Sequence, residues 1–182
     1  MTGFALRAAR ALDAGTVAAL NLACWRETYA GLVPVETMAA LTLEERVAHW
    51  RVALGDAAGP RTSLAVDGNG EAIGFASWRP HGLALRGRLG RGGDISAIYL
   101  LKRAQRRGVG RALMRGMAEE IRASGANWAT LLVLRDNLPA RRFYESLGGR
   151  CFGRETLWRG VAQVAYGWRD VGRLAVRAET EP

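Results

Sequence analysis

The stretch IYLLKRAQRRGVGRALMRGMAEEI, residues 98–121, decides the fold, because it joins an apolar run typical of a strand to a helical pattern through a short basic loop. That loop, QRRGVG, contains Gly108 and Gly110. Glycines allow backbone conformations in which several N–H groups converge on one point, and the first turn of the following helix adds amides and the positive end of its dipole. The loop therefore suits a diphosphate. Three arginines are placed to contact the same anion: Arg106, Arg107 and Arg111.

The spacing of this loop excludes the best-known nucleotide-binding motifs. The chain contains neither G-x-x-x-x-G-K-[ST] nor a G-x-G-x-x-G motif with an acidic residue about twenty positions further on. The sequence therefore argues against ATP hydrolysis and NAD binding. A short glycine loop before a helix also occurs simply as a tight turn, so the loop alone leaves both interpretations open.

Length and composition predict one domain. The chain has 182 residues, of which 49% are hydrophobic, enough for one well-buried core. We expect that domain to cover residues 1–172 and a polar, frayed tail to follow over residues 173–182. No apolar run is long enough for a membrane span and the N-terminus lacks the apolar centre of a signal peptide, so we expect a cytoplasmic protein.

The charge and the cysteines limit the classes of ligand. Lys and Arg outnumber Asp and Glu, for a net charge of +9, which attracts anionic ligands but is equally typical of an arginine-rich solvated surface. The two cysteines, Cys24 and Cys151, lack the spacing of a zinc site, so we expect no metal and two buried, inert thiols. A nucleic-acid-binding function rests on charge alone, and the sequence argues against it because no recognised motif accompanies that charge.

Hydrophobic periodicity and turn residues predict alternating helices and strands. The helical stretch after Pro34 contains TLEE, a capping box that indicates two helices, and a helix between two strands indicates a βαβ unit. The unbroken run WATLLVL is typical of a strand covered on both faces. The predicted elements are a strand at 4–9, helices at 13–31 and 35–54, a hairpin at 62–78, a loop at 79–94, a strand at 94–101, a helix at 108–123, a strand at 128–134, a helix at 137–149 and a hairpin at 153–171.

Two motifs in the same order carry a resemblance to a known family. The loop matches Q/R-x-x-G-x-G/A, and Asn137 is followed by a helix with the pattern A-x-x-F-Y-E-x-L-G, which contains Tyr144. With these motifs the chain resembles the GNAT superfamily of N-acetyltransferases over most of its length. The resemblance implies an α/β (α+β) GNAT fold, with a mixed, mostly antiparallel central sheet of about six to seven strands flanked by about four helices.

The resemblance also implies a set of acetyl-CoA contacts. Main-chain groups of Ile98, Tyr99 and Leu100 pair with the pantetheine arm like an added strand. Asn137 bonds the cofactor arm or the acceptor, or serves as a helix N-cap. Lys102 departs from the family, which often has proline there, and keeps a main-chain N–H. The remaining implied cofactor residues are Gln105, Arg106, Arg107, Gly108, Val109, Gly110 and Arg111, which hold the pyrophosphate, and Arg142, a basic residue near a CoA phosphate.

The same resemblance gives candidates for catalysis. Tyr144 is placed to protonate the leaving thiolate, and its alternative role is an aromatic anchor of its helix. Some members carry a glutamate as the base where this chain has Leu132, so Asp94 is the first candidate, with the capping of a glycine-rich turn as the alternative. Glu27 and Tyr29 on the first helix are candidates to line the acceptor pocket.

The predicted function is acetyl-CoA-dependent transfer to a primary amine, of a small molecule or of a protein N-terminus or lysine, with acetyl-CoA as cosubstrate and no metal. Neither cysteine lies in a motif, which favours direct attack of the amine on the thioester. The alternative is a catalytically silent module that binds acyl-CoA as a sensor or interaction surface. The C-terminal strands are the candidate surface for a homodimer.

Overall fold

The structure is a computed structural model that describes residues 3–80 and 91–180, with side chains described as far as residue 175. The chain divides into two compact units. The first unit contains the described residues up to Ser77 together with Ala97–Leu113, and the second contains the described residues of Trp78–Ser96 and from Met114 onward. Whether residues 1–172 behave as one domain stays a prediction.

The fold class is confirmed: the described residues form helices around a mixed, seven-stranded sheet. The strands are β1 (Phe4–Ala8), β2 (Arg61–Asp67), β3 (Ala72–Pro80), β4 (Gly92–Leu100), β5 (Trp128–Leu134), β6 (Arg150–Trp158) and β7 (Val161–Trp168). Their order is β1-β2-β3-β4-β5-β7-β6. The β1/β2, β5/β7 and β6/β7 pairs are antiparallel, whereas β4 and β5 are parallel.

Six α-helices are described rather than about four: α1 (Ala14–Tyr29), α2 (Val35–Ala39), α3 (Leu43–Gly55), α4 (Val109–Ala123), α5 (Leu138–Ser146) and α6 (Val171–Thr180). The predicted break within 35–54 is confirmed. Thr42 Oγ1 accepts the amide of Glu45 at 3.2 Å, and the Glu45 carboxylate accepts the amide of Thr42, so this capping box begins α3.

The first unit buries the apolar face of α1. Val17 and Cys24 on α1 belong to one buried cluster with Trp50 of α3 and with Leu64 and Phe75 of β2 and β3. Burial of the Cys24 thiol, with the charge of nearby Glu27 adding to it, raises its pKa to about 12.

The predicted hairpin between β2 and β3 is also confirmed in this unit. The Asp67 carboxylate accepts the amides of Asn69 and Glu71, each at 3.0 Å, and Gly70 has a φ of +81°. A turn of this type requires a residue that tolerates positive φ, so Gly70 fixes where the hairpin reverses.

In the second unit, β4 and β5 pair over Gly92–Asp94 and Trp128–Thr130, as expected for the predicted βαβ unit. The predicted loop at 79–94 is wrong at both ends, because β3 continues to Pro80 and β4 begins at Gly92. Residues 81–90 lie outside the described residues. A side chain at Gly92 would lie 2.3 Å from the Trp128 ring, so this glycine serves close packing rather than a loop.

Three further expectations are corrected in the second unit. Leu132 is 44% exposed, so β5 is not covered on both faces throughout. Cys151 is exposed, because it lies in β6, most of whose residues are exposed. Residues 173–180 belong to α6 instead of a frayed tail, since Val171 and Leu174 are buried and the Asp170 carboxylate accepts the Gly172 amide at 2.9 Å. Among residues 3–80 and 91–180, no helix has the length and apolar character needed to cross a bilayer.

Candidate active site

The basic loop of the first unit has an unusual backbone. Arg106 has a φ of +59° and Gly108 a φ of +80°, whereas Gly110 lies in the first turn of α4. The two left-handed positions are therefore Arg106 and Gly108 rather than the two glycines. A non-glycine residue rarely adopts this conformation, and such strain is concentrated at functional sites.

The start of α4 leaves main-chain donors beside this bend. The Ala112 amide donates to the carbonyl of Gly108 at 3.0 Å, so the helical hydrogen bonds begin there. In an α-helix the amides of the first turn lie too early to bind a carbonyl of the same helix, so they point outward from its N-terminus. Together with the left-handed bend and the positive end of the helix dipole, they form the kind of concavity that binds anions.

Side chains around the bend have different tasks. Arg103 lies in a short 3₁₀ turn of Lys102–Ala104 and forms ion pairs with Asp67 at 3.5 Å and Glu71 at 3.1 Å. These ion pairs direct its side chain to the β2–β3 hairpin. Gln105 donates from Nε2 to the carbonyl of Leu100 at 3.3 Å. The predicted phosphate contacts differ in exposure: Arg106 and Arg107 are exposed, whereas Arg111 is half-buried.

The end of β4 lies in the same unit as this bend. Ile98, Tyr99 and Leu100 are half-buried and lie beyond Gly92–Asp94, the part of β4 in the parallel register. The next residue, Leu101, donates its amide to the carbonyl of Ile73 at 3.1 Å, which holds the end of the strand against β3.

Tyr29, a predicted acceptor residue, meets the predicted cofactor strand. Its hydroxyl lies 3.1 Å from the hydroxyl of Tyr99. Trp25 packs edge-on against Tyr29 with 5.5 Å between ring centroids, and 6.2 Å from Tyr99. Burial raises the pKa of the Tyr29 phenol, and the hydrogen bond between its hydroxyl and that of Tyr99 opposes that shift. Trp25 was not predicted, although it stands one helical turn before Tyr29.

Glu27, the other predicted acceptor residue, contacts the main chain. Its Oε2 accepts the amide of Lys102 at 2.7 Å. This bond joins α1 to the turn that leads into the basic loop. The two residues are 75 positions apart in the sequence, so no local motif predicts this hydrogen bond.

The second unit contains the second motif. Asn137 is buried and accepts the amide of Ala140 at 3.3 Å, so it is the N-cap of α5. Tyr144 is also buried, and its ring packs against Tyr166 and Trp168 of β7 with centroid distances of 6.0 Å. The cap and the anchor, which the sequence left open as alternatives, are both present, and the catalytic roles of these residues stay predictions.

Asp94 also lies in the second unit, opposite Thr130 in the parallel register. Its Oδ2 accepts Nε of Arg79 at 3.0 Å. Side-chain exposure is 20% for Asp94 and 62% for Arg79. Asp94 therefore lies in β4 and forms an ion pair, whereas most of the glycine-rich turn of the alternative role lies outside the described residues.

A polar network next to Tyr144 was missed by sequence reasoning. Tyr166 donates its hydroxyl to Glu145 and accepts Nε of Arg141 at 3.1 Å. Arg141 also donates to the carbonyl of Arg135 at 2.8 Å, so its guanidinium is held by the fold. Arg142, the predicted phosphate contact, is exposed.

Comparison with known sequences decides the family. The sequence model of the Acetyltransferase (GNAT) family matches residues 22–149, which include the basic loop, Asn137 and Tyr144. The chain belongs to the GNAT family. It is therefore an acetyltransferase, as predicted.

One curated relative and two solved structures of the same fold match this GNAT enzyme over nearly its whole length. The uncharacterized N-acetyltransferase YuaI of Bacillus subtilis (strain 168) is 29% identical over 173 residues, covering 93% of this chain and 95% of YuaI. The PaiA N-acetyltransferase of Thermoplasma acidophilum, solved in complex with coenzyme A, has a TM-score of 0.69 at 16% identity and covers 91% of this chain and 99% of its own. A GCN5-related N-acetyltransferase of Rhodopseudomonas palustris has a TM-score of 0.69 at 24% identity, covering 92% and 96%. The structural likenesses establish the fold.

Proposed function

We propose that this GNAT enzyme transfers the acetyl group of acetyl-CoA to a primary amine. The observation that carries the proposal is the left-handed bend at Arg106 and Gly108, followed directly by the N-terminus of α4. This backbone suits a diphosphate, and coenzyme A contains one. The coenzyme A complex of PaiA, a protein of the same fold, supports the same cosubstrate here.

The pantetheine arm extends from the bend along the end of β4. Ile98, Tyr99 and Leu100 are the residues that we assign to pair with it through main-chain groups, in the manner of an added strand. Gln105 already holds the carbonyl of Leu100 at 3.3 Å, so its side chain links the strand to the bend. Arg106, Arg107 and Arg111 carry the charge that attracts the phosphates.

The reaction is a direct transfer between amine and thioester. The amine nitrogen attacks the carbonyl carbon, a C–N bond forms, and the C–S bond breaks as the tetrahedral intermediate collapses. The leaving thiolate takes the phenolic proton of Tyr144, a step that a positioned acid accelerates by about 10²- to 10⁴-fold. The amine gives its proton to Asp94, directly or through water. Since Arg79 contacts Oδ2 of Asp94, we assign this proton to Oδ1.

A catalytically silent acyl-CoA-binding module is the second candidate. Two observations favour it: Leu132 is an exposed apolar residue at the position where some members carry a glutamate, and Asp94 is already half of an ion pair. Such a module would bind the thioester through the same bend without turning it over. The cytoplasmic location and a homodimer through the C-terminal strands stay predictions under either candidate.

An acetyl-CoA turnover assay against a panel of small amines, amino acids and N-terminal peptides tests the proposal. We expect turnover with at least one amine, and loss of it in Asp94→Asn. Arg79→Gln is the matched control: it breaks the ion pair but keeps the carboxylate, so we expect it to retain most of the rate. Equal losses in the two variants would remove Asp94 as the base. Binding of acetyl-CoA without turnover of any amine would favour the silent module.

A further inference from the structure

The bond between Glu27 and Lys102 joins two parts of the first unit that are far apart in sequence. Glu27 lies near the C-terminal end of α1, and its Oε2 accepts the Lys102 amide at 2.7 Å. Lys102 is the first residue of the 3₁₀ turn that connects β4 to the basic loop. An amide donating to a carboxylate at this distance forms a charge-assisted hydrogen bond, about twice as strong as a neutral one.

The turn that Glu27 holds determines where the loop begins. Ala104, which closes the turn, is buried, and its amide donates to the carbonyl of Leu101 at 2.8 Å. Leu101 is itself bonded to Ile73 of β3, and Arg103 is paired with the β2–β3 hairpin. The turn is thus fixed to the sheet, and the carboxylate of Glu27 fixes it to α1.

A second contact ties α1 to β4 in the same region. The hydroxyls of Tyr29 and Tyr99 lie 3.1 Å apart. Tyr99 directly precedes Leu100 in β4. Glu27 and Tyr29 are two residues apart on α1, so one short segment of this helix contacts both the strand and the turn. A displacement of that segment would therefore shift the main chain that leads into the bend.

We propose that Glu27 is a positioning residue, which holds the turn of Lys102–Ala104 so that the bend at Arg106 and Gly108 is preformed for acetyl-CoA. The inference rests on the proposed function. Glu27 then supports acetyl-CoA binding through its bond to the Lys102 amide and does not contact the acceptor. The side chain of Lys102 is exposed and has no part in the bond.

Lys102→Pro tests this bond, because it deletes the N–H of residue 102 together with the exposed lysine side chain. Leu101 has φ −57° and ψ 144°, a conformation that the residue before a proline prefers, and the first position of a helical turn tolerates proline. Lys102→Ala is the matched control, since it removes the side-chain charge and keeps the amide. Glu27→Ala removes the acceptor, and Glu27→Gln keeps a neutral acceptor of the same shape.

The measurement is the Kd for coenzyme A by titration calorimetry, together with KM and kcat. We expect Lys102→Pro and Glu27→Ala each to weaken binding about tenfold, which is the order of one hydrogen bond to a charged group. The double variant should be no weaker than either single variant, because both remove the same bond. Glu27→Gln should recover part of the affinity, and Lys102→Ala should bind like the parent. KM for acetyl-CoA should rise while kcat at saturation is retained.

Each other outcome overturns the inference. Wild-type affinity in Lys102→Pro, or losses that multiply in the double variant, would show that the bond does not position the loop. A loss of kcat with unchanged KM for acetyl-CoA in Glu27→Gln would favour the alternative role, in which Glu27 contacts the acceptor. If the unaltered protein fails to bind coenzyme A at all, the proposed function falls together with the inference. If it binds and every variant binds equally well, only the inference falls.

Discussion

The basic loop before α4 and the helix α5 each contain a motif of the GNAT family, yet they carry it differently. In the loop the informative feature is the main chain, with left-handed residues at Arg106 and Gly108. The three arginines predicted to contact phosphate there are exposed or half-buried. In α5 the informative residues are the buried side chains of Asn137 and Tyr144, which also cap and anchor the helix. A strained backbone without a packing role points to a ligand, whereas a buried side chain serves the fold whatever else it does.

Tyr144→Phe tests the α5 side of this comparison and should have the largest effect. It removes the hydroxyl and keeps the ring against Trp168, so kcat should fall by about 10²- to 10⁴-fold with little change in melting temperature. Tyr166→Phe is the control, because the Tyr166 hydroxyl binds Glu145 and Arg141. Its removal should lower the melting temperature and leave kcat nearly unchanged. An unchanged kcat in Tyr144→Phe would leave this tyrosine with its anchoring role alone.

Gly108→Ala tests the loop side. At a φ of +80° an alanine is strained by about 1 kcal/mol, although a Cβ there meets nothing within 4 Å. We expect a Kd for coenzyme A about tenfold weaker, since the bend must relax and lose amide contacts to the diphosphate.

Gly125→Ala is the matched control for this prediction, because Gly125 has a φ of +81° and equally open surroundings. It should cost the same stability, measured by urea unfolding, and leave coenzyme A binding unchanged. Equal Kd values in the two variants would mean that the Gly108 bend is only a turn.

Two substitutions of Asn137 distinguish its role as a helix cap from its predicted contact with the cofactor or the acceptor. Asn137→Ala should lower the free energy of unfolding by about 1 kcal/mol, because the Ala140 amide loses its acceptor. Asn137→Asp should restore that stability, since aspartate caps equally well. If Asn137 also bonds the cofactor arm or the acceptor, kcat/KM stays low in Asn137→Asp; full recovery of the rate would reduce Asn137 to a cap.

The two cysteines extend the comparison of buried and exposed side chains, with the smallest expected effect. At about pH 8, iodoacetamide should modify exposed Cys151 and spare buried Cys24, whose thiol has a pKa of about 12 and is not ionised there. Mass spectrometry of the modified peptides measures both. Modification of Cys24 in the native protein would contradict the packing of α1.

The parts of the fold that the sequence predicted correctly depend on residues close in sequence. The capping box of Thr42 and Glu45 and the hairpin at Asp67 use partners a few residues apart, and the loop motif runs directly into α4. Local geometry of this kind is fixed by residue type and spacing.

The parts that the sequence did not predict depend on contacts between distant segments. Glu27 meets Lys102 and Tyr29 meets Tyr99 only after α1 packs beside the end of β4. The sequence predicts a polar tail where the final helix lies, because arginines and a glutamate surround Val171 and Leu174, which are buried in the structure. Whether a side chain is buried depends on the surface that packs against it, and that surface is formed by residues elsewhere in the sequence.

The central claim is that main-chain amides of the bend bind the diphosphate of acetyl-CoA. Amide proton–nitrogen correlation spectra, recorded during titration with coenzyme A and separately with pantetheine, measure those amides directly. The account predicts large shifts of the amides from Gly108 to Arg111 with coenzyme A and little change there with pantetheine, which lacks the diphosphate. Unshifted amides in this segment at saturating coenzyme A would contradict the account.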